Sequence, residues 1–262
     1  WFINFADAGA KTSPNAWLVY KYGESIGDPL MMGFGSFLAK KQEFGTKPFS
    51  GSSFIQFESM FDRNSVLSFA PKEPLVADFW LPDLQVMGAR DKDGSATGFF
   101  FAAKGGHNAE SHNHNDVGSF ILYFDGNPVL IDAGVVEYTA KTFSDKRYEI
   151  PTMQSAYHNL PTINGVMQKA GRKFAASGVK YTNTKGKVFY TLNIAKAYPE
   201  EAKVDSWIRN YTFQRGKGLK IEDIYLLKSF IEPSAISFLV AVETRIKGNG
   251  KIEMILPSGK KL

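Results

Sequence analysis

From residue 75 to the C-terminus, short β-rich runs alternate with turn signals, and this pattern limits the fold more than any other feature of the chain. The runs are Leu75–Trp80, Gln85–Ala89, Gly98–Ala103, Gly118–Phe124, Pro128–Asp132, Phe174–Thr182, Val188–Ile194, Val204–Phe213, Leu219–Leu227, Ser237–Thr244 and Lys251–Leu256. Breaks fall at Gly105-Gly106, Asp125-Gly126, Asn164-Gly165 and Gly216-Lys217-Gly218. Many short strands with frequent turns predict an antiparallel sandwich or barrel. Asp125-Gly126-Asn127, set between two apolar runs, is the strongest hairpin signal. The 22 Phe and 11 Tyr suit an all-β core or a sugar-binding surface.

The first part of the chain reads differently. Residues 1 to about 45 have a helical pattern. Ser13-Pro14 reads as a helix start, with Ser as cap and Pro in the first turn. A second apolar group, Leu30 to Leu38, is interrupted by Gly33 and Gly35. Residues 45–75 read as loop, with Gly45, Pro48, Gly51 and Ser52-Ser53, and Phe54–Phe61 as a short helix. The chain opens at Trp1, inside what reads as a helix and without a signal peptide. The expectation is a piece of a longer protein, with any targeting signal upstream.

Composition removes several function classes. There is no cysteine, which excludes disulfides, thiolate metal sites and Cys nucleophiles. No apolar run approaches the roughly 18 residues that span a bilayer. The net charge of +5 suits an anionic partner. The lysines are scattered, with no basic stripe or nucleic-acid motif, so nucleic acid is not the expected partner.

Chemistry concentrates in one place. His107, His112 and His114 lie within eight residues, and the fourth histidine, His158, stands in Tyr157-His158-Asn159. In an extended segment, residues 112, 114 and 116 share a face. Two imidazoles and the Asp116 carboxylate on that face suit Zn²⁺. The plain alternative is a polar loop leading into Gly118–Phe124. A metallo-β-lactamase-type motif needs a histidine where Val117 stands, and no G-x-S-x-G nucleophile elbow occurs.

The run Lys104-Gly105-Gly106-His107-Asn108-Ala109-Glu110-Ser111-His112-Asn113-His114-Asn115-Asp116-Val117-Gly118-Ser119-Phe120 resembles the heparinase II/III family of polysaccharide lyases. The similarity continues through Leu122 to Pro128, Leu130-Ile131-Asp132-Ala133-Gly134 and Tyr157-His158-Asn159-Leu160-Pro161. The resemblance implies a mainly β fold, an antiparallel β-sandwich (supersandwich) over residues 71–262. Residues 1–70 would be the last helices of an α/α toroid and its linker. It implies a mainly structural Zn²⁺ held by His114, Asp132 and His158, whereas the residues alone favour Asp116 as the carboxylate. In a regular hairpin Asp132 lies several residues from His114, so the segment 107–118 would have to fold back.

By the same resemblance, the chain supplies the metal-binding β-domain of a lyase that cleaves an acidic, uronate-containing polysaccharide by β-elimination. His112 is expected to be catalytic, together with Tyr148. His107, Asn113 and Arg147 are expected to bind substrate, and Asn159 to orient the His158 loop. Further catalytic residues of the family come from the toroid, upstream of this chain. The implied location is the bacterial periplasm or the exterior. The rival readings are a non-catalytic carbohydrate-binding domain with a structural metal and, more remotely, a metal-dependent hydrolase.

Overall fold

A computed structural model describes residues 1–44, 52–184 and 186–262. The loop signals at Gly45, Pro48 and Gly51 lie outside the described residues. The chain forms two compact units, one of residues 11–75 and one of residues 1–10 with 76–262.

The first unit is helical: α1 (Ala16–Ile26), α2 (Pro29–Lys41) and α3 (Ser53–Ser68). The start of α1 differs from expectation. Asn15 is the cap, because its side-chain oxygen accepts the Leu18 N–H at 3.0 Å. Residues 1–15 form no helix, which corrects the reading that the chain opens inside one. Gly33 and Gly35 do not interrupt α2. A Cβ at Gly35 would sit 2.6 Å from the Tyr20 nitrogen, and one at Gly23 2.7 Å from the Met32 nitrogen. The missing side chains let α1 and α2 approach closely. That contact offsets a helix-propensity cost of about 1 kcal/mol per glycine.

The second unit is β. Its strands are β1 (Asp78–Leu81), β2 (Val86–Arg90), β3 (Phe99–Lys104), β4 (His107–Asn108), β5 (Phe120–Phe124), β6 (Asn127–Leu130), β7 (Pro161–Thr162) and β8 (Gly171–Ala175). They continue as β9 (Ser177–Thr184), β10 (Lys187–Asn193), β11 (Val204–Gln214), β12 (Gly218–Leu227), β13 (Ala235–Ile236), β14 (Glu243–Gly248) and β15 (Lys251–Ile255). One antiparallel sheet has the order β1-β2-β3-β5-β6 and a second the order β12-β11-β10-β9. Met87, Phe101 and Phe120 from the first share a core with Tyr190, Trp207, Tyr211 and Phe213 from the second. The rings of Phe101 and Tyr211 are 5.2 Å apart. Along β11, buried Trp207, Arg209, Tyr211 and Phe213 alternate with partly exposed residues, the period-two pattern of a sandwich strand.

The β5–β6 hairpin turns at Asp125 (φ 48°) and Gly126 (φ 74°), as the Asp-Gly signal requires. Two expected strands differ. The Phe174–Thr182 run divides at Ala176, whose N–H leaves the ladder for the Gly106 carbonyl. Ser237–Thr244 is not one strand. Asn159 Oδ1 takes the Leu239 N–H at 2.7 Å, Leu130 and Val240 form an isolated bridge, and Glu243 and Thr244 open β14.

The N-terminal residues belong to this unit by their pattern of contacts. Ile3 and Phe5, two apart, pack against Ala102, Ile121 and Tyr123. This extended run carries Asp7 to the histidine loop.

Candidate functional site

The histidine loop folds back, as a metal set of His114, Asp132 and His158 would need. The Asn115 N–H donates to the Met153 carbonyl at 3.0 Å. Gln168 pairs with Val117 as a strand would: its Nε2 donates to the Val117 carbonyl at 2.7 Å and its Oε1 accepts the Val117 N–H at 3.1 Å. Beneath the loop, buried Arg209 donates to the carbonyls of Gly118 (3.2 Å) and Asn159 (2.8 Å). Its other nitrogens grip Asp223 in a bidentate pair at 2.8 Å. Asn159 donates to the carbonyls of Phe120 and Ile131, the orienting job its sequence position suggested.

These anchors bring His114, Asp132 and His158 together. One ligand atom from each lies within 4.8 Å of the others, and all three residues are buried. The hydrogen-bond partners fix which nitrogens are free. His158 Nε2 lies 3.0 Å from the Thr152 carbonyl, which can only accept, so Nε2 carries a proton. His158 Nδ1 then faces an Asp132 oxygen at 2.9 Å, and a proton or a cation must lie between them. His114 Nε2 donates to Asp7 at 2.8 Å, which leaves its Nδ1 as a buried lone pair with no partner. Both free nitrogens and the Asp132 carboxylate therefore suit one metal ion, and the donor set of two imidazoles and a carboxylate suits Zn²⁺.

The electrostatics agree with this arrangement. Burial, the largest influence, holds the His114 imidazole below its ordinary pKa, so it is neutral. Burial also opposes charge on His158, but the Asp132 carboxylate outweighs it and raises its pKa. Burial likewise acts against ionised Asp132, yet His158 and the Gly134 N–H keep its pKa low.

Asp116, the alternative carboxylate, is elsewhere. Its Oδ1 pairs with buried Lys104 at 2.7 Å. Attraction to Asp116 and Glu110 raises the Lys104 pKa although burial, the largest influence, opposes it.

Beside the metal-ligand group, His112 is 58% exposed on a left-handed backbone, φ 58°. Its Nδ1 lies 3.2 Å from Asp7 Oδ2 and 3.2 Å from the Tyr138 hydroxyl. Tyr138, 43% exposed, donates to the same Asp7 oxygen at 2.8 Å. Burial works against ionised Asp7, but hydrogen bonds from Arg147, Tyr138 and His114 hold its carboxyl below the usual range.

The other expected site residues take different positions. Arg147 is largely occupied by protein acceptors: both oxygens of Asp7 and the carbonyls of Asn113 and Thr142. Asn113 is buried, and its amide donates to Asn115 Oδ1 and the Tyr148 hydroxyl. Tyr148 is half-buried and reaches the loop through that bond. His107 sits on β4 opposite β8, and its Nδ1 accepts the Ala109 N–H at 3.2 Å. Among the described residues no hydrogen bond joins it to Asp7. The sequence reading missed Asp7, Tyr138, Gln168 and Arg209. None lies in a motif, and only the fold brings them to the loop.

The comparisons with known proteins bear on this geometry. A family model described as heparinase II/III-like, C-terminal, matches residues 79–251, well over half of the chain. Among solved structures the chain is similar to heparinase III, with 15% identity and a TM-score of 0.65, over 99% of this chain and 36% of that one. It is also similar to the heparan sulfate lyase HepC from Pedobacter heparinus, with 14% identity and a TM-score of 0.58, over 95% of this chain and 45% of that one. The chain thus spans less than half the length of these structures. No curated protein sequence matches it.

Proposed function

The chain belongs to the heparinase II/III family, and from that premise we propose that it forms the β-domain of a polysaccharide lyase acting on an acidic, uronate-containing glycan. The supporting observation is His112, exposed at the rim of the metal-ligand group and held by ionised Asp7. Asp7 can only accept, so it favours the proton on His112 Nδ1 and leaves Nε2 as a base.

β-Elimination requires removal of the uronate C5 proton and protonation of the departing glycosidic oxygen. Charge builds on the substrate carboxylate in between and needs a hydrogen-bond donor or cation nearby. His112 fits the proton transfer, or carboxylate neutralisation once protonated. Tyr148 is the second candidate for proton transfer, through its hydroxyl beside Asn113. His107 remains a candidate for substrate contact at the partly exposed end of β4. For Asn113 and Arg147 the bonds described above support a role in holding the loop. The remaining catalytic groups come from the part of the protein outside this chain.

Zn²⁺ would be held by His114, Asp132 and His158, where it supplies a fixed cross-link beneath the histidine loop. No step of the elimination passes through it. Action in the periplasm or outside the cell accords with a polymeric anionic substrate, and no helix among the described residues is long and apolar enough to cross a membrane.

The test is incubation of the full-length protein with heparan sulfate, hyaluronan, chondroitin and alginate. The expected result is an ultraviolet-absorbing unsaturated uronate product from at least one. Binding without product from any of them would favour the non-catalytic carbohydrate-binding reading.

A further inference from the structure

We infer that Asp7 is a positioning residue that joins the metal-ligand group to the catalytic rim, one carboxylate setting the geometry of both. The inference rests on the lyase reading only where it concerns turnover.

The Asp7 side chain is 3% exposed, and both of its oxygens are held by neighbouring side chains. Oδ1 accepts from His114 Nε2 at 2.8 Å, which commits the other ring nitrogen of His114 to the metal side. Oδ2 accepts from the Tyr138 hydroxyl at 2.8 Å and meets His112 Nδ1 at 3.2 Å. Arg147 Nη2 bonds both oxygens at 3.0 Å, which fixes the plane of the carboxylate. The same nitrogen donates at 3.0 Å to the Asn113 carbonyl, the residue between the two histidines. The only residue that touches both His112 and His114 through a side chain, among the described bonds, is therefore Asp7.

The backbone turns sharply just before Asp7. Ala6 is left-handed, with φ 56°. That conformation is one that non-glycine residues rarely adopt. Here it turns the chain where Asp7 enters the site. A carboxylate that orients a metal-ligating imidazole and raises its basicity is a recurring arrangement, and its loss costs about 10–100-fold in metal affinity or activity. In this protein the same carboxylate also orients His112.

The test uses the full-length protein with Asp7→Asn, which keeps the shape, and Asp7→Ala, which removes both acceptors. Zinc affinity is measured by chelator competition, and the His114 tautomer by ¹⁵N NMR of the metal-free protein. Turnover is measured on whichever glycan the wild type cleaves. Zinc affinity should fall about 10–100-fold in both variants. In Asp7→Ala the His114 proton should be shared between its two nitrogens. The turnover number should fall more than KM rises, because His112 loses its orientation. Tyr138→Phe removes one bond to Oδ2 and the hydroxyl beside His112 Nδ1, and leaves His114 untouched, so it should lower turnover and keep zinc affinity within two-fold. If Asp7→Ala fails to fold, Asp7→Asn and Tyr138→Phe carry the test. Zinc affinity within two-fold of wild type in a folded Asp7→Asn protein would overturn the inference. A wild type without turnover would sink the lyase reading alone, since the zinc and NMR measurements would be unaffected.

Discussion

Lys104 Nζ lies 2.7 Å from Asp116 Oδ1, and both side chains are almost fully enclosed. A buried pair of this kind is sensitive to loss of one partner, because an uncompensated charge is left inside. Asp116→Asn or Lys104→Met should each destabilise the β unit by about 3–5 kcal/mol. The double apolar replacement Lys104→Met with Asp116→Leu should recover most of that loss. Urea unfolding of the three variants checks it. Equal destabilisation by single and double variants would count against the pairing.

His112 adopts its left-handed backbone without being glycine. Replacing it with glycine removes that penalty, which is of order 1–3 kcal/mol for a strained residue at a functional site. His112→Gly and His112→Ala should both abolish glycan cleavage by the full-length protein. The glycine variant should melt no lower than wild type, and the alanine variant slightly lower than the glycine one. Thermal melts and product absorbance together decide it. Retained turnover would remove His112 from the catalytic role.

Stability of the metal-free protein should depend on pH through His158 and Asp132. The His158 pKa is raised, so its contribution is complete below the unfolded histidine value of about 6.5 and is lost as pH rises through its folded value. The Asp132 pKa is lowered, so its contribution is present above the unfolded value of about 3.9 and is lost as pH falls through its folded value. Zinc held by His114, Asp132 and His158 would take the place of the proton on His158 Nδ1 and would need neutral imidazoles. The gain in Tm from added zinc should therefore grow as pH is raised from 5 to 8, which differential scanning calorimetry with and without chelator measures. A gain independent of pH would argue against histidine ligation.

Arg209 holds the carbonyls of Gly118 and Asn159, next to the histidine loop and His158. Arg209→Met leaves Asp223 without its partner and removes the Arg209 donor from the Asn159 carbonyl, while the Gly118 carbonyl keeps the Tyr211 hydroxyl at 2.6 Å. We expect a loss of about 3–5 kcal/mol and weaker zinc retention. Asp223→Asn should cost less, because the two carbonyls keep their donor. Chemical denaturation and metal analysis of purified protein test both.

The parts legible in the sequence were those set by local chemistry. The Asp125-Gly126 hairpin follows from two residues that accept positive φ, and the β-rich run Val204–Phe213 falls within β11. The helices were harder. Gly33 and Gly35 look like breaks because propensity counts against them, while Gly35 makes room for Tyr20 of α1 and Gly33 for the segment at Ala70 and Lys72, contacts that no local pattern reveals. Ser237–Thr244 has the composition of a strand, yet the Asn159 side chain takes the Leu239 N–H, while the Leu239 carbonyl and the Ala241 N–H bond to the backbone of Ile131 and Val129. At the site, the grouping of His114 with Asp132 and His158 came from family resemblance, since spacing alone favoured Asp116. Asp116 is taken by Lys104, twelve residues earlier, a pairing that β3 and the loop create only after folding.

Asp7 and His114 are 107 residues apart in sequence, with the whole helical unit between them. A fragment cut at residue 76 to isolate the β sheets would keep His114, Asp132 and His158 and lose the Asp7 carboxylate that hydrogen-bonds His114. The β unit is discontinuous in the gene although compact in space, and the place to divide this protein is not the place where its strands begin.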